Sequence, residues 1–135
     1  MKLIKTFFTC SLVFSSFAMV NAQQYNNTVL AAKATQFTQE VESNCPQFIN
    51  QDHINVNQQM LSRVEIKQQN YQVNEGYTLM SSVLLKDKCN PYLQRDELNF
   101  DANTFNPLKY FFNFTVGIST TYRVDNTNYI IVIHP

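Results

Sequence analysis

Apolar residues recur along the first part of the chain in a pattern that predicts one amphipathic helix. Between about Thr28 and Ser43 they are spaced four, three and four apart, at Leu30, Ala34, Phe37 and Val41. Such residues share one face of a helix. Asn27 or Thr28 can cap its start. Cys45-Pro46 ends it, because a residue that precedes a proline is disfavoured in the helical region.

Apolar and polar residues alternate further along the chain, which predicts strands in two hairpins. Met60–Ile66 and Tyr77–Leu85 form one alternating pair, joined by a turn at Asn74-Glu75-Gly76. A second pair, 118–124 and 129–133, flanks the turn residues 125–128. Each pair is typical of antiparallel strands joined by a tight turn.

The stretches between these hairpins leave two alternatives open. A short helix is compatible with Tyr92–Leu98, while Thr104–Phe114 fits either a helix that opens at Pro107 or a strand. In a strand Phe111 and Phe112 cannot both point inward, so one of them would add to an exposed apolar face. In a helix both can pack in the core.

Together these elements predict an α+β fold. An N-terminal helix would pack on an antiparallel sheet of about four strands, with room for a second short helix.

Residues 1–22 have the layout of a cleavable signal peptide. Lys2 and Lys5 precede an apolar run from Phe7 to Val20, and small residues follow, with cleavage expected after Ala22. The run has about 14 residues, whereas about 20 are needed to cross a bilayer. We therefore expect no stable membrane anchor after cleavage, and a single domain at 23–135 that is periplasmic or secreted.

The predicted mature chain is weakly acidic. It keeps eight of the ten Lys and Arg residues, since Lys2 and Lys5 leave with the leader, and all ten Asp and Glu residues, a net charge of −2. Without a basic excess, binding to nucleic acid lacks its main driving force. We expect no nucleic-acid partner.

Cys45 and Cys89 remain after the predicted cleavage, and they predict one disulfide. An even cysteine count in an exported chain is most simply explained by pairing. Closing this loop would stabilise the fold by about 4 kcal/mol. The alternative, that one of them is a nucleophilic thiolate, is disfavoured because neither lies in a CxxC motif or beside a histidine.

The familiar catalytic and metal-binding motifs are absent from the sequence. The chain has two glycines, too few for GxSxG, a P-loop or GxGxxG. His53 and His134 are far apart in sequence, and neither belongs to an HExxH motif. We expect no cofactor and no metal, and we interpret Asp52-His53 as a solvated loop and His134 as exposed at a strand end.

The acidic residues offer no evident catalytic pair. Asp96-Glu97 are adjacent and Glu40 and Glu42 are two apart, so neither pair faces a common point on a helix. Glu65 is two residues from Arg63 on a predicted strand, which favours a surface ion pair between them.

Short segments of the chain resemble a group of small exported bacterial proteins of unknown function. The segments are Asn44–Asn50 (NCPQFIN), Tyr77-Thr78-Leu79, Tyr122–Asp125 and Ile131–Pro135. The chain departs from that pattern at Arg123-Val124, where a second aromatic residue would fall. The resemblance implies an extracytoplasmic address and an α+β layout, and it implies no catalytic residue.

These observations favour a non-catalytic binding protein over an enzyme. Its partner would be another protein or a small apolar ligand, bound at a sheet face or in an aromatic pocket. The alternative is a small secreted hydrolase or toxin whose site is assembled from scattered residues such as Asp52, His53 and Glu97. A concave pocket that held Asp52 and His53 with another acid or His134 would favour this alternative.

Overall fold

The fold is described from a computed structural model of the 135-residue chain, for residues 21–42, 44–45, 47, 50–69 and 76–135. Most of the predicted leader lies outside these residues, as do Asn74 and Glu75 of the first predicted turn. The helices and strands, in chain order, are β1 (Asn21–Gln24), α1 (Asn27–Glu40), α2 (Gln51–Ser62), β2 (Val64–Gln68), β3 (Thr78–Leu79), β4 (Thr120–Arg123) and β5 (Tyr129–Ile133). Single 3-10 turns lie at Met80–Ser82, Glu97–Asn99 and Pro107–Lys109.

The five strands form one mixed sheet in the order β1-β2-β5-β4-β3. The pairs β1–β2, β2–β5 and β4–β5 are antiparallel, whereas the short β3 pairs in parallel with β4. Central β5 places Ile131 opposite both Ile66 of β2 and Tyr122 of β4. The predicted α+β class is therefore confirmed, with a fifth strand and one parallel pair that the sequence did not indicate.

Helix α1 forms where its apolar spacing predicts. Leu30, Ala34, Phe37 and Val41 are all buried. The cap, however, is Asn26, whose side chain accepts a hydrogen bond from the Val29 N–H at 3.0 Å, and not Asn27 or Thr28. Asparagine is a strong helix cap, so both positions were compatible with the sequence.

Helix α2 corrects the prediction for Met60–Ile66. Met60 and Ser62 are helical, and the strand begins only at Val64. The side chain of Asn50 starts the helix by accepting the His53 N–H at 2.8 Å. An alternating run and the last turn of a helix are compatible with the same few residues, which is why the pattern misled.

The first predicted hairpin is wrong, and the second is confirmed. β2 pairs with β1 and β5, while most of 77–85 is irregular and β3 lies at the far edge of the sheet. β4 and β5 pair as predicted around residues 125–128, where Asn126 has a φ of 55°. Asparagine tolerates this left-handed conformation better than most residues.

The segment Thr104–Phe114 is neither the helix nor the strand that its spacing allowed. It contains the 3-10 turn Pro107–Lys109, and beyond it Tyr110 bridges to Leu85. Likewise, the helix allowed at Tyr92–Leu98 is only the turn Glu97–Asn99. Aromatic rings stack along this part of the core, at Phe100, Phe105, Tyr110, Phe112 and Tyr122. The buried side chains of both helices and of the sheet join these rings in one core.

Candidate functional site

A cavity of about 280 Å³ lies between α1, α2 and the segment 86–89. Its apolar lining consists of Phe37, Val41, Val56, Met60 and Phe111, and its polar lining of Glu42, His53, Asn57, Lys86, Lys88 and Cys89. We call this cavity the helix pocket. Apolar walls with a few polar groups are the usual character of a ligand-binding site.

Helical spacing brings the lining residues to one wall. His53 and Asn57 are four residues apart on α2, as are Val56 and Met60, so each pair stacks along the same face of the helix. Phe37 of α1 and Val41 just beyond it are four apart in the same way. The face of α2 that lines the helix pocket therefore carries both polar and apolar side chains.

The segment 86–89, which forms the third wall of the helix pocket, is held in place by hydrogen bonds at both of its ends. The Lys86 N–H donates to the Lys109 carbonyl at 2.8 Å, and the Phe111 N–H donates to the Leu84 carbonyl at 2.9 Å. At the other end the Asn44 side chain donates to the Cys89 carbonyl at 3.1 Å. The wall therefore has a fixed position before any ligand arrives.

The predicted pairing of Cys45 with Cys89 is present as a disulfide, with the two Cα atoms 5.8 Å apart. It ties the end of the pocket wall to the chain that follows α1. Cys89 itself lines the helix pocket. The disulfide therefore braces the site as well as the fold.

Glu42 is a buried carboxylate with one oxygen engaged and the other unmatched. Its Oε1 lies 2.6 Å from His53 Nε2, and the residue is only 6% exposed. Within the described part of the chain, its Oε2 has no hydrogen-bond partner. An unmatched buried acceptor costs about 1–3 kcal/mol, and more when it is charged.

Asn57 is also buried with an unmatched polar group, which in this residue is a donor. It is 3% exposed, and among the described residues nothing accepts a hydrogen bond from its Nδ2. Buried polar groups in folded proteins are almost always hydrogen-bonded. Glu42 and Asn57 both line the helix pocket, but their unmatched atoms are themselves buried.

Lys86 places its ammonium between two aromatic rings at the helix pocket. Its Nζ lies 5.3 Å from the centre of the Phe37 ring and 5.7 Å from that of Phe111. Burial lowers the pKa of Lys86, and the nearby Glu42 carboxylate opposes part of that shift. A desolvated ammonium of this kind gains from an additional anionic partner.

The rim of the helix pocket is apolar and exposed. Val56 is 50% exposed and Phe111 is 61% exposed, although both line the cavity. Phe112, the next residue, is buried. The Phe111-Phe112 pair therefore divides between the surface and the core, which answers the question that the sequence left open.

The structure does not assemble the scattered site proposed from the sequence. His53 lines the helix pocket with Glu42 as its acidic neighbour, but Asp52 is exposed in the first turn of α2 and is not part of the lining. Glu97 pairs with Arg95 instead, and its Oε2 lies 3.4 Å from the Tyr110 hydroxyl. Among the residues described, no group of three or more His, Cys, Asp or Glu could hold a metal ion.

His134 and Glu65 meet on the sheet, which corrects the predicted pairing of Glu65 with Arg63. The Glu65 carboxylate lies 2.8 Å from His134 Nε2 and 3.2 Å from Lys67 Nζ. Arg63 donates to backbone carbonyls, including that of His134 at 2.8 Å. These contacts join β2 to the C-terminal end of the chain.

The described residues contain no helix that is both long and apolar enough to span a bilayer. Comparison of the chain with protein-family models, with curated proteins and with solved structures finds no match. The resemblance to small exported bacterial proteins therefore stays a prediction.

Proposed function

We propose that the protein is a non-catalytic extracytoplasmic binding domain that holds a small, largely apolar ligand in the helix pocket. One observation carries the proposal: a largely apolar cavity of about 280 Å³ lies between the two helices and opens at a rim of exposed apolar side chains, Val56 and Phe111. Ligand sites usually measure about 300–1,000 Å³, so a cavity of this size suits a small molecule.

The extracytoplasmic address draws support from two features. Residues 1–22 have the pattern of a leader, and Cys45 and Cys89 form a disulfide, a bond that persists in oxidising compartments. The predicted cleavage point after Ala22 falls within β1. Cleavage there leaves Gln23 and Gln24 to pair with Ile66 and Glu65 of β2.

The proposal is tested with the exported, oxidised protein and an environment-sensitive apolar fluorescent probe. We expect saturable binding of the probe, which Val56→Trp abolishes because a bulky ring at the half-exposed rim closes the helix pocket. Leu84→Trp is the matched control, because Leu84 is exposed and is not part of the lining. Equal probe binding by the two variants, or no binding at all, would contradict the proposal.

The alternative, a small secreted hydrolase or toxin, draws its support from the contact between Glu42 and His53. A carboxylate that orients an imidazole is a common arrangement for a general base. Among the lining residues described there is no hydroxyl nucleophile, and the one cysteine sulfur is in the disulfide, so such an enzyme would have to activate water. Turnover of a bound compound that His53→Gln abolishes without loss of binding would favour this alternative.

A further inference from the structure

The chain contains two Asn-x-Thr triplets, the pattern at which glycans are attached to asparagine in secreted proteins. They are Asn26-Asn27-Thr28 and Asn113-Phe114-Thr115. Asn26 caps helix α1, and its triplet continues into that helix, whereas Asn113 lies in an irregular loop before β4. Neither triplet contributes to the lining of the helix pocket, so the second one calls for an explanation of its own.

The backbone around Asn113 is held firmly against the fold. The Asn113 N–H donates to the Tyr122 hydroxyl at 2.8 Å, and the Asn113 carbonyl accepts from the Thr120 hydroxyl at 3.1 Å. The guanidinium of Arg63 donates to the next two carbonyls along the chain, at 2.9 Å and 3.2 Å. The loop therefore has a fixed position, although most of its side chains face the solvent.

The side chain of Asn113 is exposed, and its amide nitrogen is available. Its Oδ1 accepts the Thr115 N–H at 3.0 Å, and among the described residues its Nδ2 donates no hydrogen bond. A glycan is attached to this nitrogen, so the carbonyl oxygen keeps its hydrogen bond. The folded chain can therefore carry a glycan at Asn113 without losing a contact.

The surroundings of Asn113 leave space for a bulky group. Positions 115–119 are all exposed, and even the apolar Val116 and Ile118 are 82% and 49% exposed. Gly117 turns the chain at a φ of 83°. Because Thr120 reaches back to the Asn113 carbonyl, these residues form a closed surface loop with Asn113 at its base. Bulky, solubilising glycans are placed on surface loops of this kind.

Resting on the proposed extracytoplasmic address, we infer that Asn113 is the acceptor of an asparagine-linked glycan. The sugar comes from a lipid-linked diphosphate oligosaccharide in the export compartment. A bond forms between Asn113 Nδ2 and the first carbon of the sugar, while the bond from that carbon to the diphosphate breaks. The lipid diphosphate leaves, and the amide nitrogen loses one proton. No oxidant or reductant takes part.

The test is secretion of the chain, with its own leader, from a eukaryotic cell line, because such cells supply the lipid-linked sugar. Every chain carries Asn26→Ser, which removes the first triplet and keeps a good helix cap. Intact mass spectrometry is performed before and after treatment with an amidase that removes asparagine-linked glycans. We expect one glycan per molecule, released by the amidase and located at Asn113 by peptide mapping.

A matched pair of variants at Thr115 leaves the acceptor asparagine unchanged. Thr115→Ala should abolish the modification because the triplet loses its hydroxyl, and Thr115→Ser should retain it. Thr115 is exposed, and its printed contacts are made by the backbone, so both variants should fold. Asn55→Gln is the control for loss of an exposed asparagine outside any triplet, and it should keep the glycan.

The outcomes separate this inference from the proposed function. A secreted chain without a glycan at Asn113, or a glycan that persists in Thr115→Ala, would overturn the inference. Glycosylated protein and Thr115→Ala should bind the apolar probe equally, because the triplet lies outside the helix pocket. Probe binding without a glycan would therefore leave the binding function standing. Failure of the chain to be secreted would contradict the extracytoplasmic address and the glycan site together.

Discussion

The Glu42 carboxylate and the His53 imidazole lie 2.6 Å apart, across the connection between α1 and α2. This contact fixes one oxygen of a buried carboxylate and leaves the other, which is also buried, unmatched among the described residues. Glu42 follows α1 directly, and His53 lies in the first turns of α2. The pair therefore joins the two helices at the point where we propose that the ligand binds.

Replacing Asn57 by leucine should stabilise the free protein while it weakens ligand binding. The unmatched Nδ2 disappears, and the larger apolar side chain has space in the adjoining cavity, so we expect a gain of about 1 kcal/mol in the free energy of unfolding. Urea denaturation measures it, with Asn55→Leu as the exposed control. A loss of more than about 1 kcal/mol would show that Asn57 supports the fold.

Replacing Lys33 should lower stability, unlike replacing Asn57, because the buried Lys33 ammonium has hydrogen-bond partners within the protein. Its Nζ donates to the carbonyls of Asn103 and Phe105 and lies 5.0 Å from the centre of the Tyr25 ring. Burial lowers the pKa of Lys33, while Asp101 and Asp96 oppose that shift. Lys33→Met should destabilise the fold by about 1–3 kcal/mol, since it removes donors from two carbonyls.

The measurement is again urea denaturation, with Lys88→Met as the control, since Lys88 is exposed and forms no salt bridge within the described residues. Equal stability of Lys33→Met and wild type would show that the two carbonyls find other partners. Such a result would show that Lys33 does not stabilise the core.

Reducing the disulfide should cost both stability and ligand binding. The double variant Cys45→Ser/Cys89→Ser frees a loop that spans 44 positions, so we expect about 4 kcal/mol less stability. Because Cys89 lines the helix pocket, the variant should also bind the apolar probe more weakly under conditions where it remains folded. Unchanged probe affinity in the folded variant would show that the disulfide braces the fold and not the site.

Glu65 should contribute to the loss of stability in acid. Burial alone would raise the pKa of Glu65, but hydrogen bonds from His134 and Lys67 outweigh burial and lower it below its ordinary value of 4.5. A carboxyl with a lowered pKa stabilises the fold above about pH 4.5, and this stabilisation is lost as the pH falls through its folded-state pKa. Glu65→Gln should therefore be less stable than wild type at neutral pH and approach it in acid.

Denaturation midpoints between about pH 7 and pH 3 test this prediction. Glu40→Gln is the control, because Glu40 is exposed and, among the residues that the structure describes, its carboxylate accepts only from the Gln36 side chain. A difference between wild type and Glu65→Gln that stays constant over this range would contradict the assignment of the contact to an ionised carboxylate.

Local sequence signals predicted part of the fold well. The spacing of Leu30, Ala34 and Phe37 identified α1, and β-branched residues around an Asp/Asn turn identified the hairpin of β4 and β5. Both elements depend on contacts between residues close in sequence. Helix α2 was missed because its sequence, QDHINVNQQMLS, contains few apolar residues, although Asn50 offered a capping signal.

These local signals do not predict which strands pair when they are distant in sequence. The parallel contact of β3 with β4 and the position of β1 beside β2 depend on the closure of the whole sheet. The turn chemistry at Gly76 suggested a hairpin because a local pattern cannot state which strand becomes the neighbour.

The candidate site was predictable only in fragments. Residue type alone marks His53 and the two cysteines in the sequence, whereas the two-residue spacing of Glu40 and Glu42 does not indicate a shared site. Asn57 was one asparagine among many, and nothing local marks it as buried. It lines the helix pocket because α2 and the segment 86–89 border the same cavity, an arrangement that the sequence does not reveal.

The most direct test of the binding function is the side-chain amide signal of Asn57 in a ¹H–¹⁵N NMR spectrum of the oxidised protein. We expect the apolar probe to shift this signal and the Phe111 backbone amide, because both residues line the helix pocket, while the amides of β1 and β2 stay in place. Saturable binding that shifts the sheet amides and leaves the Asn57 side chain unchanged would contradict this prediction.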